Sequence, residues 1–295
     1  MKPAPFEYRA PESVEAALGL LQASGGEAKL LAGGQSLVPA MNFRLVQPAM
    51  LIDLNRIEEL RYVRAGSDGG LRIGAMTRER QLEDDPLIAS NAPLLAEAMP
   101  HIAHPQIRNR GTIGGSLANA DPAAELPVIM VALQARIRLR SASQERWVAA
   151  KDFFTGLFST ALAEDEMLVE IELPASPPRT GWAFTEMAPR AGDYALMGVA
   201  ALVTLDAKGK CVRARLVYLN AGEGPVEAAQ AGQLLEGSGI NDESAESAAV
   251  MASQKEIQPF GNVHASPEYQ RHLARVLTRR AVLLAADRAR TGGGA

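Results

Sequence analysis

The sequence predicts an α+β fold in two parts, for three reasons. Short apolar runs alternate with helix-like segments over an N-terminal part of about 175 residues. The proline-rich segment Pro174–Pro178 then marks a junction, because consecutive prolines favour extended backbone. Strand-like runs followed by helical stretches come after it. A length of 295 residues is also typical of two domains at roughly 100–200 residues each.

The N-terminal part begins with a helix. Ser13 can cap it, and its apolar residues follow the i, i+3, i+4, i+7 spacing up to Leu21, before Gly25 ends it. The strand candidates that follow are 28–32, 50–54 and 71–76, and the helical candidates are 79–82 and 92–99. The stretch 108–127 has little periodicity and is rich in Gly, Asn and Pro. It is therefore expected to be a long structured loop with a strand-like start.

The C-terminal part is expected to begin with strands and to end in helices. The strand candidates are 182–187, 197–205 and 212–220, with a hairpin turn at 206–209. The helical candidates are 228–235 and 267–290. We therefore expect domains at 1–176 and 177–290, followed by a flexible glycine-rich tail at 291–295.

Composition excludes several classes of function. The 34 acidic against 30 basic residues give a net charge of −4, which argues against nucleic-acid binding. The single cysteine, Cys211, excludes an intrachain disulfide and a site with four cysteine ligands for zinc or an iron–sulfur cluster. His101 and His104 are bracketed by prolines and lack companion ligands, so no metal site is expected. No apolar leader or membrane span is visible, so a cytoplasmic location is expected.

Two glycine pairs are the candidate functional sites. The first follows a predicted strand and comprises Ala32, Gly33, Gly34, Gln35, Ser36 and Leu37. Bare glycine backbone exposes several N–H groups, which can cradle a phosphate, although a tight turn without a ligand explains the same residues. The second pair lies among short hydrogen-bonding side chains, in Thr112, Ile113, Gly114, Gly115, Ser116, Asn119 and Asp121. The same two explanations apply to it. Rossmann, P-loop and nucleophile-elbow motifs are absent.

Three segments resemble one family. AGGQSL at 32–37, IRNRGTIGGSLANADPAAELP at 107–127 and RAGDYAL at 190–196 are similar to the FAD-binding medium subunit of molybdenum hydroxylases, the xanthine oxidase family. The likeness is greatest to carbon monoxide dehydrogenase-type enzymes and spans essentially the whole chain. It implies a two-subdomain FAD-binding domain of the PCMH type, followed by a smaller α+β C-terminal domain of the carbon monoxide dehydrogenase flavoprotein type.

The resemblance also implies roles for individual residues. Ala32 to Leu37 would wrap the FAD pyrophosphate, and Thr112 to Ser116 would hold the pyrophosphate and the ribityl side. The remaining implied contacts are Asn119, Asp121 and Glu125 near the ribose or phosphate, Leu168 near the adenine or flavin ring, and Tyr194 over the isoalloxazine. Many relatives have His where this chain has Asn119, and some have a basic residue where it has Glu186. No catalytic residue is implied on this chain.

The implied function is that of an FAD-carrying electron-transfer subunit in a heteromeric molybdenum-containing dehydrogenase. Its partners would be an iron–sulfur small subunit with 2Fe-2S clusters and a molybdopterin large subunit that oxidises the substrate, assembled as a dimer of heterotrimers. FAD would be the only cofactor on this chain. The alternatives are a stand-alone flavin oxidase, which would turn over a small molecule without partners, and a colourless phosphate-binding module.

Overall fold

The computed structural model describes residues 2–292. Within them the strands are β1 (Glu7–Arg9), β2 (Ala28–Leu31), β3 (Met50–Asp53), β4 (Val63–Ala65), β5 (Leu71–Gly74), β6 (Arg136–Arg140), β7 (Glu145–Ala149), β8 (Phe154–Gly156), β9 (Ser159–Thr160), β10 (Met167–Leu173), β11 (Thr180–Met187), β12 (Met197–Leu205), β13 (Cys211–Leu219) and β14 (Val226–Glu227).

The α-helices in the same residues are α1 (Val14–Ala23), α2 (Leu37–Asn42), α3 (Glu79–Asp84), α4 (Pro86–Asn91), α5 (Pro93–Ala98), α6 (Pro105–Arg108), α7 (Ile113–Asn119), α8 (Glu125–Ala132), α9 (Ala150–Phe153), α10 (Ala229–Leu235), α11 (Asp242–Met251) and α12 (Pro267–Thr291). Short 3₁₀ turns occur at Leu54–Arg56, Glu58–Leu60 and Met99–His101, and a π-helical turn at Ala252–Glu256. None of these helices is long and apolar enough to span a membrane.

A small parallel sheet forms the first layer, with strand order β1-β3-β2. Helix α1 packs against it because its apolar residues recur on one face and are buried with those of β3. As the sequence predicts, Ser13 caps this helix, its hydroxyl accepting a hydrogen bond from Ala16 N at 3.2 Å. The glycine loop at 32–37 leaves the carboxyl end of β2 and leads into α2.

An antiparallel sheet forms the second layer, with strand order β4-β5-β10-β6-β7. Helix α8 is buried along its whole length, because apolar residues surround its axis. The largest buried cluster includes residues of α8, α5, α7, β5, β6 and β10. The two layers meet at β10. Its residues Met167 and Val169 are buried together with α1 and β3, and its residues Leu168 and Ile171 belong to the largest buried cluster.

The C-terminal sheet has the order β11-β12-β13-β14 and lies between two helical layers. One face packs on the 25-residue helix α12 and on α10 and α11. The other face contributes Phe184, Ala200, Val217 and Leu219 to the same core as α5 and α8. The junction 174–179 is exposed and connects β10 to β11.

Most predicted elements are present, including the three strands after the junction, the turn at 206–209 and the final helix. The expectation of a long loop at 108–127 was wrong, because the stretch contains α7, the end of α6 and the start of α8. Helix α12 extends to Thr291, so the predicted start of the flexible tail at 291 was wrong by one residue. Residues 293–295 of that tail lie outside the described residues.

Candidate functional site

The first glycine loop has the geometry of an anion-binding nest. Gly34 has φ +75°, a left-handed conformation that glycine adopts without strain. Within residues 2–292, no protein acceptor pairs with the N–H groups of Gly33, Gly34, Gln35 or Ser36. The Gln35 side chain donates to Gly33 O at 3.1 Å, so this backbone carbonyl has a hydrogen-bond partner within the loop itself. Consecutive free amides around a left-handed residue suit a phosphate group.

The second glycine loop is the first turn of helix α7. The Thr112 hydroxyl caps this helix by accepting from Gly115 N at 3.1 Å. Ser116 N donates to Thr112 O, Ile113 N to Thr77 O and Gly114 N to Ala75 O. Of the two explanations that the sequence leaves open for this loop, free amides for a phosphate are not observed, because these four N–H groups are used within the protein. The second loop can therefore offer a ligand bare Cα surface and the Ser116 hydroxyl.

Glycine allows the two loops to touch. A Cβ at Gly33 would lie 2.4 Å from Arg110 O, and a Cβ at Gly115 would lie 3.3 Å from the Cβ of Ala32. Real Cβ atoms do not approach a carbonyl oxygen as closely as the first distance. The structure thus brings together two segments about 80 residues apart in sequence, which makes one shared binding surface possible.

The other predicted contact residues lie beyond the second loop. Asn119 is the last residue of α7, and the chain turns at Ala120 in a left-handed conformation. Asp121 then accepts from Ala123 N at 2.9 Å. Glu125 opens α8 and is only 7% exposed; burial, followed by the nearby Glu186 carboxylate, raises its pKa to about 7.

Leu168 and Tyr194 have very different surroundings. Leu168 is buried in β10. The neighbouring Val169 O accepts from Ala75 N, and Ala75 O accepts from Gly114 N, so the strand that contains Leu168 is linked to the second loop through Ala75. Tyr194 is 72% exposed in the loop between β11 and β12. Its hydroxyl end is partly shielded, and this shielding together with the Asp121 and Glu125 carboxylates raises its pKa.

A polar cluster joins the two parts of the chain beside these residues. His101 Nδ1 lies 3.2 Å from Glu186 Oε1, and the His101 ring meets Phe184 edge-on. The hydrogen bond to Glu186 raises the pKa of His101 more than burial lowers it. His101 thus has an ion-pair partner in the C-terminal sheet. Within residues 2–292, no three His, Cys, Asp or Glu side chains form a metal-binding group.

Family comparison identifies the class of protein. Residues 4–176 match the family described as the FAD binding domain in molybdopterin dehydrogenase, and residues 182–285 match the CO dehydrogenase flavoprotein C-terminal domain. The chain belongs to this flavoprotein family. It is the FAD-carrying medium subunit of a molybdenum hydroxylase, an oxidoreductase, as the resemblance implied. The predicted fold, an FAD-binding domain followed by a carbon monoxide dehydrogenase flavoprotein domain, is confirmed.

Curated relatives and solved structures agree over nearly the full length. The chain is 43% identical to the 6-hydroxypseudooxynicotine dehydrogenase complex subunit alpha of Paenarthrobacter nicotinovorans, over 98% of this chain and 97% of that protein. It is 37% identical to the carbon monoxide dehydrogenase medium chain of Afipia carboxidovorans, over 98% and 100%. Among solved structures, carbon monoxide dehydrogenase from Hydrogenophaga pseudoflava aligns with a TM-score of 0.94 at 39% identity, over 98% and 99%.

FAD fits the residues of this flavoprotein. A pyrophosphate needs several donors in one place, and the Gly33–Ser36 amides provide them next to a wall at Gly115 that a side chain would obstruct. Two polar residues next to these loops were not predicted: Asn55 donates to Ala32 O in the first loop, and Arg78 donates to Arg110 O, two residues before the second. No motif marks either residue, because their partners are 23 and 32 positions away.

Proposed function

We propose that this subunit accepts electrons from an iron–sulfur partner and passes them to an external acceptor. The substrate would be oxidised on a separate molybdopterin subunit. The proposal is supported by the relatives, whose names describe medium chains and subunits of dehydrogenase complexes. It is also supported by the single buried Cys211, since an iron–sulfur cluster needs about four thiolate ligands.

The observation that carries the proposal is the set of four free amides in the first loop. In our assignment, Gly33 to Ser36 bind the FAD pyrophosphate, with Ala32 and Leu37 completing the loop. Thr112, Ile113, Gly114, Gly115 and Ser116 form the facing wall, where the half-buried Ser116 would donate from its hydroxyl. FAD itself supplies the redox chemistry, because it can accept electrons one at a time and release a pair.

The remaining assignments concern the ends of the cofactor. We assign Asn119, Asp121 and Glu125 to the ribose or phosphate region, and Leu168 to the vicinity of a ring. Tyr194 would cover the isoalloxazine, since its exposed ring is available on the loop between β11 and β12. This loop reaches the FAD-binding part, because a Cβ at Gly192 would lie 2.6 Å from His104 Nδ1. These contacts leave the protein to orient the flavin and shield it from water.

We also propose the assembly. An iron–sulfur small subunit and a molybdopterin large subunit would join this chain, and two such heterotrimers would form a dimer. Within the chain, domains at 1–176 and 177–290 would meet along the C-terminal sheet, where Phe184 and Leu219 share a core with α8. With Tyr194 over the isoalloxazine, the flavin would lie beside this interface, because Tyr194 belongs to the loop between β11 and β12.

The test separates electron transfer from substrate oxidation. The purified iron–sulfur subunit is reduced with dithionite, freed of excess reductant and mixed anaerobically with the oxidised flavin chain. Flavin absorbance should fall, with about two reduced clusters consumed per flavin. The flavin chain mixed with the complex's substrate should keep its oxidised spectrum.

Three results would contradict the proposal. Substrate-driven bleaching of the flavin in the isolated chain would show a stand-alone oxidase. A failure of the reduced iron–sulfur subunit to bleach the flavin would exclude that subunit as the donor. A chain that binds no FAD would remove the basis of the assignment altogether.

A further inference from the structure

We infer that Asn55 and Arg78 form a bracket that fixes the first glycine loop against the second and so orients the donors of the FAD site. This Asn55–Arg78 bracket rests on the proposed FAD contacts. Both residues are positioning residues, because their described side-chain hydrogen bonds are with backbone carbonyls, with each other and with the Asp53 carboxylate.

The first step concerns one peptide plane. Asn55 Nδ2 donates to Ala32 O at 2.9 Å. This carbonyl and the N–H of Gly33 belong to the same planar peptide and point in opposite directions. By holding the carbonyl, Asn55 keeps the Gly33 N–H turned toward the opposite side, where it is free for a ligand.

Asn55 is itself held in place. Its Nδ2 and its backbone N–H both donate to Asp53 Oδ1, at 2.5 and 2.9 Å. The other oxygen of Asp53 accepts from Tyr8 Oη at 2.6 Å. Burial would raise the pKa of Asp53, but the hydrogen bonds from Tyr8 and Asn55 outweigh it and hold the pKa below its ordinary value. Asp53 therefore stays ionised and fixes the Asn55 amide.

Arg78 connects this assembly to the second loop. Its Nη2 donates to Asn55 Oδ1 at 2.5 Å, and its Nη1 donates to Arg110 O. Arg110 O is the atom that lies against Gly33. The contacts thus close a ring that runs from the first loop through Asn55 and Arg78 to Arg110 and back to Gly33.

The bracket also concentrates positive charge behind the loops. Arg61 donates to Asn55 O, and burial together with the neighbouring Arg61 and Arg110 lowers the pKa of Arg78. Arg78 remains protonated at neutral pH, since a guanidinium titrates far above it. Three arginines against the nearby Asp53 give this part of the fold a net positive charge, which favours an anionic group at the loops.

The experiment measures FAD and ADP binding to the apo form of the full chain. Arg78→Met and Asn55→Leu keep side-chain bulk but remove the hydrogen bonds. Each should weaken FAD by roughly ten- to one-hundred-fold, the effect of losing one or two bonds that involve a charged or fixed donor. ADP, which carries the pyrophosphate without the flavin, should weaken by a similar factor. Arg80→Met, in the helix that begins directly after Arg78, changes a residue whose ion pairs are with Glu83 and Asp84, and it should bind both ligands as the natural chain does.

Two measurements distinguish the positioning of the FAD donors from a purely structural role of Asn55 and Arg78. The thermal midpoint of each apo variant should stay near that of Arg80→Met, and the double variant should lose little more affinity than either single one, because the two residues act through one chain of bonds. Arg78→Lys provides a milder variant should the others fail to fold, and it should also weaken ADP. Unchanged ADP affinity in folded Arg78 and Asn55 variants would overturn the bracket. Absence of FAD binding by the natural chain would instead overturn the proposed function.

Discussion

The buried carboxyl of Glu79 predicts an unusual dependence of stability on pH. Glu79 is 5% exposed at the start of α3, and its Oε2 has no hydrogen-bond partner within the described residues. A Cβ at Gly111 would lie 2.2 Å from this oxygen, so the carboxyl presses on the backbone beside the second loop. Burial, and then the charge of Glu125, raises its pKa from 4.5 to about 8.

The sign follows from proton binding. Between pH 4.5 and 8 the folded chain holds a proton on Glu79 that the unfolded chain has released. The contribution of Glu79 to the free energy of unfolding is therefore complete below pH 4.5. It decreases above that pH and is lost as the pH rises through 8. At about 1.4 kcal/mol per pH unit, the complete effect is roughly 5 kcal/mol, of which roughly 3 kcal/mol falls between pH 5.5 and 9.

Glu79→Gln isolates this effect, because glutamine has the shape of the protonated acid and does not titrate. Urea unfolding of the full apo chain, followed by tryptophan fluorescence, measures the free energy of unfolding at pH 5.5 and 9. The advantage of Glu79→Gln over the natural chain should grow by roughly 3 kcal/mol between these values. Parallel pH profiles of the two chains would show that Glu79 does not titrate with a raised pKa in the folded chain.

Glu83, on the same helix, provides a contrast of opposite sign. Burial would raise its pKa, but hydrogen bonds from Arg108 and Arg80 hold it below the ordinary value. Its stabilising effect is present at neutral pH and is lost as the pH falls through that lowered pKa. Glu83→Gln should therefore destabilise the chain at pH 7 and less so in acid.

Three further predictions concern FAD and the domain junction. Gly34→Val and Gly115→Val should each lower the flavin-to-protein absorbance ratio. Valine is strained at the Gly34 φ of +75°, and a Cβ at Gly115 would lie 2.8 Å from Thr112 Oγ1. Full FAD occupancy in both variants would contradict the loop assignment. Acid precipitation should release FAD into the supernatant, and flavin retained in the pellet would show a covalent link. Proteolysis within the exposed segment 174–179 should slow when FAD is added, and equal rates for apo and holo chains would place the flavin away from the junction.

The sequence predicted the elements whose signal is local. The strands β11 to β13 and the helix α12 have a clear period and clear ends, and they lie where expected. Helix α7 was missed because Gly114 and Gly115 are poor helix formers. Its stability comes from the Thr112 cap and from burial of Ile113 and Leu117, which a local pattern does not reveal.

The candidate site was predictable only in part for the same reason. Motif resemblance identified both glycine loops, but not which of their amides are free. Ile113 N and Gly114 N bond to Thr77 and Ala75, some 36 to 39 residues earlier in the chain. Hydrogen-bonding partners at that separation depend on the packed fold, so bare backbone in a sequence does not establish a free donor.

The two glycine pairs therefore look alike in sequence but serve different physical purposes. In the first loop, Gly34 provides a left-handed turn that leaves neighbouring amides free. In the second, Gly114 and Gly115 allow close packing, against Ala75 and the Ala32 side chain. If donors come from one loop and the facing wall from the other, affinity depends on the separation and orientation of the two. Binding strength is then set by residues that need not touch the ligand, which is why Asn55 and Arg78 should affect ADP as much as FAD.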